Sequence, residues 1–471
     1  MKDSASPPRL AQAAARPVSS PQTPQPPVLG GVADEEPRRR LADAVECSVV
    51  TFAWTEDIKS GGTAYKRVKA ADIDGDGDAA DLVVVDSTTN IGQYIWWFAA
   101  DTSAGTLAAN QITAYLGQRL GIDLAVGDLD GDQNPDIVVA ATGGPVELKW
   151  YKNGGDGSSW TTSGTWGVVD NGIDAPRTVY AADIDGDQDL DVVSASQTQE
   201  KVVWYQNTNG AGTFAAAATI AEEWDGTTVT IPADDDGGGY GYGGGGGGGY
   251  GYGGGCTAPC REIKAVSVFV ADLDDDDKLD VLYADDTNGI LGFNVPGDLA
   301  TSTTDWSVSI AIDDDTTNKA KWVVAADFDG DGDLDVVAAT TTGTIPLYEN
   351  PGGSPDGTWT ERASALANGG DTVTSVEVFD IDGDGDNDVL AAVSHTDHIR
   401  VWRNDGAWSF ASSIAADDRT DSSGSNGATA YSLVAVDLDA DGDLDVVATQ
   451  GGYVSWYEND CTIKPTPAPS P

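Results

Sequence analysis

Asp327-Phe328-Asp329-Gly330-Asp331-Gly332-Asp333-Leu334-Asp335, running straight into Val336-Val337-Ala338-Ala339-Thr340, is the stretch that decides the fold of this chain. Aspartates stand at positions 1, 3 and 5 of the stretch and again at position 9, and a β-branched run follows. The pattern occurs seven times. The other copies read DIDGDGDAAD (72–81), DLDGDQNPD (128–136), DIDGDQDLD (183–191), DLDDDDKLD (272–280), DIDGDGDND (380–388) and DLDADGDLD (437–445). Successive first aspartates are 53–57 residues apart, except for one gap of 89 that holds an insertion. A fixed period of this size marks an array of one supersecondary unit.

The residues on either side of the loop make the unit all-β. An apolar segment precedes each loop, as in RTVYAAD (177–183) and KWVVAAD (321–327), and a short β-branched run such as LDVVSAS (190–196) follows. A third segment often ends in Trp-Tyr, at Trp150-Tyr151, Trp204-Tyr205 and Trp456-Tyr457, with Trp96-Trp97 and Trp402 in equivalent places. Asn-Gly or Asn-x-x-Gly turn signals come next, then a fourth segment with another aromatic, as at Trp166 or Phe214. Four short strands with turn punctuation and no helical periodicity fit a propeller blade. Heptads, long amphipathic stretches and membrane-length apolar runs do not occur. The expected fold is therefore all-β, a seven-bladed β-propeller of four-stranded blades.

A propeller closes its ring to avoid open sheet edges. The last repeat stops one strand short, after Trp456-Tyr457-Glu458-Asn459, while a spare strand, CSVVTFAW (47–54), precedes the first. This N-terminal strand is expected to complete the seventh blade from outside. The propeller then spans 47–461, after a Pro- and Ala-rich segment, 1–46, that reads as disordered. The tail 462–471 is Pro-rich and reads either as the start of a stalk or linker or as a frayed end.

Alternating aspartates in a tight loop turn their carboxylates toward one centre, the arrangement that suits a hard cation taking six to eight oxygens. The candidate ligands at positions 1, 3 and 5 are Asp72, Asp74 and Asp76; Asp128, Asp130 and Asp132; Asp183, Asp185 and Asp187; Asp272, Asp274 and Asp276; Asp327, Asp329 and Asp331; Asp380, Asp382 and Asp384; and Asp437, Asp439 and Asp441. The closing carboxylates are Asp136, Asp191, Asp280, Asp335, Asp388 and Asp445, with Asp81 one residue late in the first loop. Position 6 wants a residue that tolerates positive φ. Gly77, Gly332, Gly385 and Gly442 meet this, Gln133 and Gln188 do not, and Asp277 does in part. The loops at 327, 380 and 437 keep every feature. The loop at 272 adds Asp275, Asp277 and Lys278, and the loop at 72 has an extra alanine. A solvated Asp-Gly turn explains a single copy, but not seven in phase. The expectation is up to seven structural Ca²⁺ ions. Each would add about 0.4–1.4 kcal/mol of stability at millimolar calcium for sites of extracellular affinity.

The charge agrees with this. The chain has 77 acidic and 25 basic residues and a formal charge of −52, which seven divalent cations would bring to about −38. Nucleic acid and anionic membrane surfaces are poor partners for such a field. The four cysteines allow three pairings, of which Cys47–Cys461 and Cys256–Cys260 are favoured. Calcium loops and disulfides together indicate an extracellular or cell-surface site, although the N-terminal segment shows no apolar core of signal-peptide length.

The unit VxxADxDGDGxxDVVxA…VxWYxN resembles the FG-GAP/VCBS repeats of integrin-α-like propellers over about 47–461, nearest the VCBS-type subset because the FG and GAP signatures are not evident. The resemblance implies a seven-bladed propeller with calcium loops on one face, working in adhesion or glycan recognition. Related propellers also serve as non-catalytic modules and occasionally as scaffolds of lyases or dehydratases. No ligand-contacting motif of the family carries over onto this sequence. The expected function is an extracellular, calcium-stabilised, monomeric and non-catalytic module that recognises a protein or glycan at the cell surface or matrix. The alternatives are a lectin-like carbohydrate binder and a polysaccharide-active lyase or hydrolase, or its accessory domain.

Three further features bear on that choice. The insertion at 222–260 contains Gly238–Gly255, almost only Gly and Tyr. It reads as a neutral repeat expansion or as an adhesive loop offering Tyr240, Tyr242, Tyr250 and Tyr252. The two histidines, His395 and His398, lie in one hairpin, and no GxSxG, HExxH or phosphate loop occurs. Most tryptophans recur as blade-packing residues, while Trp160, Trp224 and Trp359 are candidate sugar platforms.

Overall fold

The computed structural model describes residues 47–60, 65–77, 81–87, 94–101, 106–112, 120–142, 148–157, 159–160, 167–170, 172–221, 223–224, 261–262, 264–286, 290–297, 299, 306, 308–313, 319–352, 358–367, 370–394, 399–411, 414–415, 429–460 and 462–463. Cys256, Cys260, Cys461, Trp166, both histidines and the Gly/Tyr run fall outside these residues. Among the described residues there is no helix. Seven four-stranded antiparallel sheets form the blades. Their first strands are Tyr65–Ala70, Leu120–Gly127, Pro176–Ala182, Ala265–Ala271, Ala320–Ala326, Val373–Phe379 and Ala430–Val436. Each packs beside the next around a common axis, and the last packs on the first, so the ring is closed.

The sequence pattern explains the layering. Second strands such as Asp191–Ser196 (DVVSAS) and Asp335–Thr340 (DVVAAT) are buried at every position. They lie mid-blade with a neighbouring blade on each face, which is why small and β-branched residues run without polar alternation. Third-strand aromatics wedge between blades. Trp204 meets Trp306 of the fourth blade edge-on at 6.2 Å, and Phe293 meets Trp359 of the fifth at 5.9 Å. Trp150 lies so close to Gly212 of the next blade that a methyl group there would sit 2.1 Å from the indole. Such edge-on pairs contribute about 0.5–1.5 kcal/mol beyond their buried area.

Every first strand carries a register irregularity near its start, for example between Tyr65 and Arg67, Gly121 and Asp123, and Ala320 and Trp322. A bulge re-aims the side chain that follows it. Here it turns Arg67, Asp123 and Trp322 toward one another in the middle of the ring. Arg67 Nε donates to Asp123 Oδ1 at 2.7 Å, and its guanidinium lies 3.9 Å above the Trp322 ring. Two residues further along, Lys69 stands 3.9 Å from the buried Glu377, and Tyr180 packs edge-on against Phe269. Burial pushes Glu377 up, against the pull of Lys69 and Arg67. The space left among these residues is a cavity of about 20 Å³, water-sized rather than ligand-sized.

In the seventh sheet, Phe52–Ser60 pairs with Tyr453–Asn459 as the outer strand. The continuous strand expected at 47–54 is two pieces: Cys47–Val49 pairs separately with Thr462–Ile463.

Candidate metal centres

Each loop is shaped first by its own backbone. Position 6 has positive φ in all seven copies, including Gln133 (69°), Gln188 (76°) and Asp277 (65°), so the expected misfits adopt the conformation and bear its strain. Position 4 is left-handed too, at Gly75, Gly131, Gly186, Asp275, Gly330, Gly383 and Ala440. The spacing of the aspartates carries no such demand at position 4, yet six of its seven residues are Gly or Asp, types that visit this region readily. The two left-handed residues curl the amides inward. The position 6 N–H donates to the position 1 carboxylate in every loop, from Gln133 to Asp128 at 2.7 Å through Gly442 to Asp437 at 3.2 Å.

Position 9 is a buried brace. One oxygen accepts the N–H of position 2 in all seven loops, as from Ile184 to Asp191 at 3.2 Å and Leu273 to Asp280 at 2.8 Å. The late Asp81 does the same with Ile73 at 3.0 Å, so the extra alanine of the first loop leaves the brace intact. In six loops the other oxygen accepts a backbone N–H from the end of the third strand: Ala100, Asn153, Asn207, Asn350, Asn404 or Asn459. In the fourth blade the strand register puts Pro296 at this place. Proline has no N–H, and Asp280 Oδ1 is left without a partner. Burial pushes these carboxyls up, to about 6 for Asp81, about 7 for Asp136, Asp335 and Asp445, about 8 for Asp191, and about 9 for Asp388 and Asp280.

The donor set fits a hard dication. Carboxylate oxygens of Asp72, Asp74 and Asp76, of Asp272, Asp274 and Asp276, and of Asp128, Asp130 and Asp136 lie within 4.8 Å of one another. The equivalent trios Asp183, Asp185, Asp191 and Asp327, Asp329, Asp335 do likewise. At position 3, a buried oxygen of Asp130, Asp185, Asp274 and Asp382 has no hydrogen-bond partner. Burial, then the neighbouring like charges, raise Asp274 and Asp382 to about 6. Orphaned anionic oxygens in a polar concavity are what a bound cation would satisfy. Position 5 is tied into the turn itself. In six loops Oδ1 of Asp132, Asp187, Asp276, Asp331, Asp384 or Asp441 accepts the N–H of position 7, at 2.9 to 3.2 Å. Oδ2 of Asp132 and of Asp276 is met by a lysine ammonium, Lys152 at 2.8 Å and Lys278 at 2.7 Å.

The asparagine after Trp-Tyr, expected as a turn signal, is an inter-blade clamp. Asn207 Nδ2 donates to the carbonyl of Leu129 in the preceding blade's loop at 2.9 Å and to Leu190 in its own at 3.2 Å. Asn153, Asn350, Asn404 and Asn459 reach Ile73, Leu273, Phe328 and Ile381 of the preceding blade in the same way. The recurring WYxN spacing is the sequence signal for it.

Two of the three candidate sugar platforms are corrected. Trp160 and Trp359 are buried at 9% and 8% exposure, packed between blades. They follow the same periodic wedge as the other tryptophans. Trp224 lies at the base of the insertion, in a short antiparallel pair of Glu223–Trp224 with Arg261–Glu262.

Residues 128–194, 327–391 and 380–448 match the FG-GAP-like repeat family. No curated protein matches the chain. Among solved structures it is similar to BBS1N in complex with ARL6DN, at 11% identity and TM-score 0.49 over 89% of this chain and 98% of that one. An Agrocybe aegerita lectin that recognises non-reducing terminal N-acetylglucosamine is similar at 16% identity and TM-score 0.46, over 88% and 94%. Chaetomium thermophilum Sqt1, bound to the N-terminus of ribosomal protein L10, is similar at 11% identity and TM-score 0.46, over 88% and 99%. With one loop geometry in seven copies and a closed ring of seven sheets, this chain is a seven-bladed β-propeller that carries FG-GAP-like repeats in three regions.

Proposed function

We propose that the protein is a calcium-stabilised, non-catalytic recognition module of the extracellular space or cell surface, presenting its propeller faces to a protein or glycan. The observation that carries the calcium reading is the buried position 3 oxygen without a donor at Asp185 and at Asp274, each beside the position 1 carboxylate of its loop. A divalent cation supplies the missing partner and offsets the repulsion among the carboxylates. The FG-GAP-like repeats, a fold used mostly for binding, support recognition over chemistry. A lectin-like form of this reading has one place to be tested. Between the second and third blades lies a cavity of about 140 Å³. Asp128, Gln188 and Asp189 line it beside Leu129 and Leu190, a mixed wall that could meet both the hydroxyls and the apolar face of a sugar.

The test is thermal unfolding of the full chain in millimolar calcium and in chelator, followed by a glycan array under both conditions. Calcium should raise the melting temperature, and an unchanged melt would sink the metal reading. A calcium-dependent glycan signal selects the lectin-like form. A blank array on a calcium-stabilised fold directs the search to protein ligands.

A further inference from the structure

The strand register defines a column of residues just before the asparagine clamp. The pairings Leu82 with Phe98, Ile137 with Tyr151, Val192 with Tyr205, Val281 with Asn294, Val336 with Tyr348, Val389 with Trp402 and Val446 with Tyr457 are equivalent. The next residues in the seven blades are therefore Ala99, Lys152, Gln206, Val295, Glu349, Arg403 and Glu458. Where this residue can donate, it donates to the position 3 carboxylate of its own loop. Gln206 Nε2 reaches Asp185 Oδ2 at 2.6 Å, and Arg403 Nη1 reaches Asp382 Oδ2 at 3.0 Å. Lys152 goes further. Its Nζ bridges Asp130 Oδ2 and Asp132 Oδ2, the latter at 2.8 Å, and so engages positions 3 and 5 together.

We propose that Lys152 is the built-in counter-ion of the loop at 128–136, that this loop folds with a lysine ammonium in the place of a metal ion, and that the residue in this column decides which blades take calcium. The second half rests on the calcium reading above. Two of the loop's carboxylates are committed to Lys152, and Ca²⁺ needs six to eight oxygens. Entry of a dication would have to strip the ammonium from both carboxylates or share the centre with its positive charge. Asp130 is only 10% exposed on its side chain, while Lys152 and Asp132 are 35% and 32% exposed, so the contest is strongest at the buried Asp130 carboxylate. At the other end of the scale, the column holds acids in the fifth and seventh blades, Glu349 and Glu458. A carboxylate there, like the uncharged Ala99, Gln206 and Val295 of other blades, adds no competing cation, so the column does not bar calcium from the loops at 327 and 437. The loop at 380 keeps every sequence feature of a site but has Arg403 on Asp382, which places it below those two in affinity.

The experiment is a Ca²⁺ titration of the full chain read by calorimetry and native mass spectrometry, with melting curves in chelator, for wild type, Lys152→Met and Lys152→Gln. Either variant should bind one more ion than wild type. Each should melt lower than wild type in chelator and recover on adding calcium. Glu458→Lys, which moves the cation into the seventh blade, should bind one ion fewer. Seven ions on wild type, or an unchanged count together with an unchanged chelator melt in both lysine variants, would overturn the proposal while leaving the calcium reading standing. If no form binds calcium but the lysine variants melt lower, the calcium reading falls and the counter-ion assignment survives.

Discussion

Asn207→Ala tests the clamp directly. The side chain is fully buried. Its Nδ2 serves two buried carbonyls, Leu129 at 2.9 Å in the neighbouring blade and Leu190 at 3.2 Å in its own. The backbone N–H to Asp191 Oδ1 at 2.7 Å survives the substitution. A buried carbonyl left without its donor costs about 1–3 kcal/mol. Two such losses, softened by relaxation, predict about 2–4 kcal/mol. Asn207→Asp is the sharper variant, because it keeps the shape but points acceptors at acceptors beside the Asp191 carboxylate. It should therefore destabilise more than alanine. The introduced carboxyl would have a raised pKa in the fold. Its stabilising protonated form is fully present below the unfolded value of about 3.9 and lost as pH rises through the folded one. The gap between the two variants should therefore widen from about pH 4 to about pH 7. The assay is urea unfolding at fixed calcium, with coincidence of two spectroscopic probes as the check on cooperativity. A loss below about 0.5 kcal/mol for alanine, the range of ordinary surface changes, or an aspartate variant no worse than alanine, would refute the clamp.

Three other substitutions follow from the geometry. Ala440 sits at φ 60° where six other loops have Gly or Asp, and Ala440→Gly should stabilise by about 0.5–1 kcal/mol, seen as a higher urea midpoint. Gly212→Ala puts a methyl group 2.1 Å from Trp150 at a residue with φ +70°, and the urea midpoint should fall by the equivalent of about 2–4 kcal/mol; an unchanged midpoint would mean the ring can move aside. Burial raises Glu377, so its favourable contribution is present below about pH 4.3 and is lost as pH rises through its folded value. Wild type should therefore lose stability relative to Glu377→Gln as pH rises above about 4.3, measured as the difference in melting temperature between the two proteins over a pH series.

The loops are legible in the sequence because their information is local. Nine consecutive residues set the turn, the clustered carboxylates and the φ demand at position 6, and the repeat count sets the number of blades. What the sequence hides is carried by contacts one blade away. The clamp from Asn207 to Leu129 joins residues 78 apart, and neither residue alone shows a reason for the other. The same holds for Trp160 and Trp359, which look like spare aromatics until a neighbouring blade covers them. Lys152 follows Trp-Tyr as an ordinary strand-end cation in sequence, and only the register brings it over Asp130. Position 9 has the spacing of a shell-closing ligand. Its burial and its two backbone donors give it a second task, which spacing alone does not encode.

The clamp also divides the ring. It is present between the first and second, second and third, fourth and fifth, fifth and sixth, and sixth and seventh blades. It is missing where Pro296 stands in the fourth blade and where Ala100 stands in the first, since neither side chain has a donor. Other bonds cross those two seams, Asn294 to the Ile220 carbonyl, Gln197 to Asp286 and Lys264 to Glu200 at one, and the Tyr65 N–H to the Gly451 carbonyl, the Val68 N–H to Ser432 and Thr449 to the Lys66 carbonyl at the other, but none ties one aspartate loop to the next. The loop-to-loop clamp thus runs over two arcs, of three and four blades, and is replaced at two seams by the bonds above. One seam is where the two ends of the strand circuit come together, and the other is where the chain carries its long insertion, with Trp204 packed on Trp306 across it. Loops on either side of those two seams lack the direct tie that pins the others to one another.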